Sequence, residues 1–188
     1  MKSIVPKAAL PVLLLVLLAA PGCKKGGDAP HPSEPQGGKT AQEPYYYGLI
    51  EEYRSVLAGD PHNLAAIIGL GNAFYDAGQW KEAIRYYEQS ILIDPSNADV
   101  VTDMATCYRN LGMPDRAIAD YRKALLIEPT HQNALYNLGV VYGYDNNDYE
   151  SAVRIWERLL VIAPKHPKAD TIRAGIANFR RLLARKAR

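Results

Sequence analysis

The chain is poor in the residue types on which most catalytic and metal centres depend. It holds two cysteines, four histidines, two tryptophans and two phenylalanines in 188 residues. It contains no Cys-x-x-Cys, His-Glu-x-x-His or Gly-x-Ser-x-Gly, so dithiol, zincin and nucleophile-elbow chemistry have no residues to use. Neither sign of charge dominates: 22 basic residues against 20 acidic ones give +2, too little for a global field that recruits nucleic acid. Long apolar stretches are scarce too. The run Ala8–Ala20 is 13 residues, short of the roughly 20 that cross a bilayer core.

Three fragments imitate chemical motifs and fail on spacing. Gly37-Gly38-Lys39-Thr40 ends like a phosphate loop, but Ser33 stands where the first glycine belongs and proline-rich chain surrounds it. Asp145-Asn146-Asn147-Asp148 begins like a calcium loop, but the twelfth position is Trp156 rather than glutamate; an Asx-rich turn is expected. His62, His131 and His166 recur near unit boundaries and read as polar turn residues, because helices 8–10 Å apart do not bring one ligand each to a single metal. Cys107, beside Tyr108, reads as a small buried hydrophobe. No catalytic residue, metal or cofactor is expected.

What the chain does have is a period. Ile67, Leu70, Gly71, Phe74, Ala83, Tyr87 and Pro95 recur 34 residues later as Val101, Met104, Ala105, Tyr108, Ala117, Tyr121 and Pro129. They recur again, after one extra residue, as Leu135, Leu138, Gly139, Tyr142, Ala152, Trp156 and Pro164. Steps of three and four predict two helices per unit. Ala77-Gly78 supplies a turn between them, and Asp94-Pro95 stops the second, since a residue before proline avoids the helical region. The inserted residue, within Tyr144–Asp148, predicts a longer turn in the third unit.

These spacings resemble the tetratricopeptide repeat, whose pattern joins large-x-x-Leu-Gly-x-x-Tyr to Ala-x-x-x-Phe and then Pro. The resemblance covers residues 64–166 in three units: 64–97, 98–131 and 132–166. It implies an all-α, right-handed superhelical array of antiparallel helix pairs. Leu49, Tyr53 and Pro61 predict a half-repeat helix over 45–63. Ile172, Ile176, Phe179 and Leu183 predict an amphipathic capping helix over 167–188, which covers the apolar end of the stack. Residues 173–188 hold five arginines, one lysine and no acid, read as the solvated face of that cap.

Ahead of the array, residues 1–22 carry Lys2, Lys7 and the short apolar run, the build of a secretory signal. The ending Ala19-Ala20-Pro21-Gly22-Cys23 resembles a bacterial lipoprotein signal, in which Cys23 becomes the lipidated first residue. Ala20 departs from the leucine usual there, and ordinary cleavage near Gly22 is the alternative. The resemblance implies a lipid-anchored, periplasm-facing protein of the cell envelope. Lys24 after the cysteine favours the outer membrane over the inner. Residues 23–44, rich in glycine and proline and without a large apolar side chain after Cys23, form the expected disordered tether. Its 21 residues from Lys24 to Pro44 span on the order of 25 Å.

In tetratricopeptide arrays the first helices line a concave groove for an extended or helical peptide. Transferred unit by unit, that face is Ala65, Ile68, Asn72, Tyr75 and Asp76, then Asp99, Thr102, Thr106, Arg109 and Asn110, then Asn133, Tyr136, Val140, Gly143 and Tyr144. The asparagines offer backbone hydrogen bonds, the tyrosines flat area and Arg109 a carboxylate partner. Family members that grip a terminal carboxylate use basic residues and asparagines at set groove positions, which here read Ile68, Asn72, Asp103, Asn133 and Asn137; the expected lysines and arginine are absent, so that mode is not expected. The reading is a non-catalytic, membrane-tethered adaptor for protein or peptide partners. The alternative is a structural protein that self-associates through its terminal helices, with Tyr45-Tyr46-Tyr47 accepting a second copy.

Overall fold

The computed structural model describes residues 43–187, so residues 1–42, with Cys23, the signal and most of the tether, lie outside the described residues. Eight α-helices and no strand occur among the described residues: α1 Glu43–Gly59, α2 Leu64–Asp76, α3 Trp80–Ile93, α4 Ala98–Asn110, α5 Pro114–Ile127, α6 Gln132–Val140, α7 Tyr149–Ile162 and α8 Ala169–Lys186. Helix α1 begins at Glu43, two residues inside the stretch expected to be tether.

Each helix packs on the next in sequence, and the first helices α2, α4 and α6 also touch across units. That row of near neighbours is the inner side of the stack. Apolar positions at steps of three and four fill the seams: Leu70, Ala83, Tyr87, Val101, Ala105, Ala117, Tyr121, Leu135, Ala152 and Leu159 are fully buried. Close approach needs missing side chains. A Cβ on Gly71 would lie 2.5 Å from the Tyr87 ring, and one on Gly139 would overlap Trp156. The cap closes the stack with aromatic contacts. Phe179 stacks at 5.5 Å on Trp156, at 5.2 Å on Tyr149 and edge-on at 5.2 Å to Tyr144. Arg180 pairs with Glu157, and Arg173 with Asp170 at 2.8 Å.

The unit boundaries are built by side-chain caps on the same period. Asn63 accepts from the Ala66 amide at 3.0 Å and Asn97 from Val100 at 3.1 Å. His131 does the same with Nδ1 toward Ala134 at 3.1 Å. Each cap satisfies one of the amides a helix start leaves unpaired.

The inserted residue does not lengthen the turn, contrary to the sequence expectation. Gly78 and Gly112 hold the left-handed turn position at φ 70° and 73°, and Asn147 holds it in the third unit at φ 54°. The turn is closed by Gln79 N to Phe74 O, by Met113 N to Tyr108 O and by Asp148 N to Tyr142 O. The surplus is taken up upstream, where Val141–Asp145 winds as a π-helix. Asparagine tolerates the left-handed region better than other non-glycine residues, which fixes the turn in place.

Candidate functional site: the row of first helices

The inner face carries the expected residues in three conditions. Ala65, Asn72, Asp76, Asp99, Asn110, Asn133 and Tyr144 are exposed; Ile68, Tyr75, Thr106, Arg109 and Tyr136 are half-buried. Thr102, Val140 and Gly143 are buried. Thr102 spends its hydroxyl on the Ala98 carbonyl at 2.8 Å, and Val140 belongs to the core. Neither presents a side chain to a ligand lying on the face.

Several exposed groups are already held. The Tyr87 hydroxyl donates to Asn72 Oδ1 at 2.9 Å, leaving the Asn72 amide nitrogen for a ligand. One unit later Thr106 and the Tyr121 hydroxyl share a 2.8 Å hydrogen bond, and Thr106 donates to Thr102 O. In the third unit Val140 has no acceptor, and Trp156 Nε1 donates instead to the Tyr136 carbonyl at 3.0 Å. The same second-helix position therefore ties to the first helix in all three units, by different chemistry.

Arg109 is not a free cation. Its Nε lies 2.5 Å and its Nη2 3.2 Å from the two oxygens of Asp145, a bidentate pair with both side chains largely buried. The pair joins the second unit to the third and leaves little charge for a partner's carboxylate. Sequence spacing gave no sign of it, because the partners are 36 residues apart.

With Arg109 neutralised, the first half of the face is acidic. Asp103, on the same helix, has its carboxyl pushed up to about 6, first by burial and then by the nearby charge of Asp99, with His131 opposing. His131 Nε2 is 2.8 Å from Asp99. Burial, then the Asp103 charge, pushes the Tyr75 hydroxyl up to about 12. The second half is aromatic: Tyr136 stacks at 6.0 Å on His166 and at 6.2 Å on Trp156, and Lys168 Nζ lies 4.4 Å from its ring centre. Acid at one end and stacked rings at the other suit an extended segment with basic and apolar side chains.

Among the described residues no three His, Cys, Asp or Glu side chains gather as a metal would need, and no helix is long and apolar enough to cross a membrane. The Cys107 thiol is buried, and burial first, then Asp103, pushes its pKa up to about 12. It stays protonated and unreactive.

The family model described as the cilia and flagella-associated protein 70 middle TPR-like domain matches residues 52–184. No curated protein matches the chain. Among solved structures, that of MamA protein is similar at 21% identity and TM-score 0.63, covering 74% of this chain and 81% of its own. A tetratricopeptide repeat protein from Parabacteroides merdae is similar at 24% and 0.65, covering 74% of this chain and 55% of its own. The first TPR of Spaghetti (RPAP3), bound to the HSP90 peptide SRMEEVD, is similar at 23% and 0.59, covering 66% and 96%. These likenesses show a tetratricopeptide solenoid fold.

Proposed function

The chain belongs to the family of the cilia and flagella-associated protein 70 middle TPR-like domain, and on that footing we propose that it is a non-catalytic adaptor that binds a protein segment along its first helices. The observation that carries the reading is the row α2, α4, α6 with its graded lining: Asn72, Asp76 and Asp99 toward one end, Tyr136 and Tyr144 toward the other. The solved Spaghetti domain holds a peptide, which supports a segment as ligand. Ile68, Asn72, Asp103, Asn133 and Asn137 supply none of the cations a terminal-carboxylate grip needs, so the segment proposed here is a basic and aromatic one, engaged away from its C-terminus.

The setting belongs to the same proposal. Lipidated at Cys23 and released from its signal, the domain hangs from a bacterial envelope membrane by the 23–44 tether and gathers partners there. Two experiments test the two halves. A photocrosslinking residue at Asn133 or Tyr144 captures a partner that the same residue at Lys123, on a second helix, does not; equal capture from both positions rules out the groove. Cys23→Ser shifts the protein from the membrane to the soluble fraction; unchanged fractionation rules out the lipid tether.

A further inference from the structure

The outer side of the stack holds a cleft of about 470 Å³ between the second helices α5 and α7. Three guanidiniums surround it, Arg122, Arg154 and Arg158, and Leu125, Leu126 and Ile155 line it. No acidic side chain lines the cleft, and none of the three arginines is ion-paired among the described residues. Their positions are nevertheless fixed. Arg154 donates to the Ser151 hydroxyl at 2.8 Å, Arg158 to the Pro129 carbonyl, and Arg122 lies 5.7 Å over the Tyr142 ring. Asp148, a carboxylate that feels Arg154 and Arg122 from outside, is committed to the Ser151 amide at 3.0 Å as the cap of α7.

The repeat supplies an internal control. One unit earlier the same construction brings together Glu88, Arg116, Asp120 and Lys123. Tyr108 donates to Glu88 at 3.3 Å, Arg116 lies 4.9 Å over the Tyr108 ring, and the charges of Arg116, Lys123 and Glu88 all reach Asp120. There two acids balance two bases. In the next cleft Arg122 stands where Glu88 was and Ile155 where Asp120 was. The acids are gone: Arg158 matches Lys123, Ser151 takes the place of Arg116, and Arg154 adds a cation where Ala119 was. A purely structural cleft has no need of that change, since like charges on one rim repel.

We propose that the α5–α7 cleft binds an acidic segment of a protein partner, its carboxylates on Arg122, Arg154 and Arg158 and one apolar side chain between Leu125 and Ile155. Guanidinium forks match carboxylates bidentately, and the cleft has the volume of a side-chain-sized ligand site. The rim favours a chain over an enclosed small molecule, because Leu126 at its edge is 83% exposed and offers apolar area along the approach. This surface faces away from the groove proposed above and does not depend on it.

The test uses the full chain and a fluorescein-labelled peptide with four glutamates around one leucine, its glutamine counterpart, orthophosphate, and phosphatidylglycerol vesicles, read by anisotropy and co-sedimentation. The glutamate peptide binds and the glutamine peptide does not. Arg122→Glu, which puts back the acid that Glu88 supplies at the matching position, weakens binding by at least about tenfold, as loss of an interfacial charge pair does. Arg154→Ala, at an exposed position, weakens it also, with unchanged melting temperature showing an intact fold. Asn133→Ala with Tyr144→Ala leaves it unchanged. Three results overturn the proposal: equal affinity for both peptides, affinity indifferent to the arginine variants, or arginine-dependent binding of vesicles or phosphate without binding of the glutamate peptide.

Discussion

Replacing Asp103 with asparagine stabilises the domain at neutral pH, and the gain vanishes in acid. The Asp103 carboxyl is pushed from the ordinary 3.8 to about 6 by burial, by Asp99 and, more weakly, by Asp76. The unfolded chain ionises it near its ordinary value. Between those two values the folded state holds a proton that the unfolded state has lost. Stability therefore falls as pH rises through that window. Moving a carboxyl from 3.8 to about 6 corresponds to roughly 3 kcal/mol between its protonated and ionised forms. Asparagine keeps the shape and never ionises, but its half-buried amide takes back part of this, leaving about 1–2 kcal/mol at pH near 7.5. For a domain of this size that is a melting temperature higher by about 3–6 °C. The assay is thermal unfolding of both proteins followed by circular dichroism, one series near pH 4 and one near pH 7.5. Taking the difference between them at each pH cancels the titration of carboxyls far from Asp103. No gain at neutral pH, or an equal gain at both, refutes the reasoning.

Other substitutions have expected outcomes of their own. Arg109→Ala strands the Asp145 carboxylate and costs about 2–4 kcal/mol in urea unfolding; the double variant with Asp145→Ala recovers part of it, and strict additivity counts against a coupled pair. Gly71→Ala drives a methyl into the Tyr87 ring and destabilises by about 1–3 kcal/mol. Gly48→Ala meets open space on α1 and stabilises by about 0.5–1 kcal/mol, so a matching loss there refutes the packing argument. Cys107 is buried with a protonated thiol, so a thiol reagent near pH 8 labels it only at the rate of unfolding; fast labelling in the native state contradicts its place in the core.

The helix pairs were legible because their causes are local and repeated. Gly71, Ala83 and Tyr87 recur in kind at one period, and each buries at the seam its spacing predicts. The capping helix was legible for the same reason: Ile172, Ile176 and Phe179 are buried, and Arg173, Arg180, Arg181 and Arg185 are exposed. A readable signal was also passed over. Asn63, Asn97 and His131 fall on the period, one residue before each first helix, and all three cap. The state of the inner face was less legible, because it depends on partners brought by packing. Thr102 looks like a groove residue until its hydroxyl is seen turned into its own helix. Arg109 looks free until Asp145 arrives from the next unit. Position along a helix predicts direction; it does not predict what occupies the space in front.

The π segment at Val141–Asp145 has a consequence for how such a chain changes length. A surplus residue in a rod advances everything beyond it by about 100° and 1.5 Å, which would leave every later module out of phase. Here the error is spent within five residues, and Asn147 restores the turn before α7 begins. Modules downstream inherit no offset, so an added repeat spliced after Pro164 would dock in register without any compensating deletion.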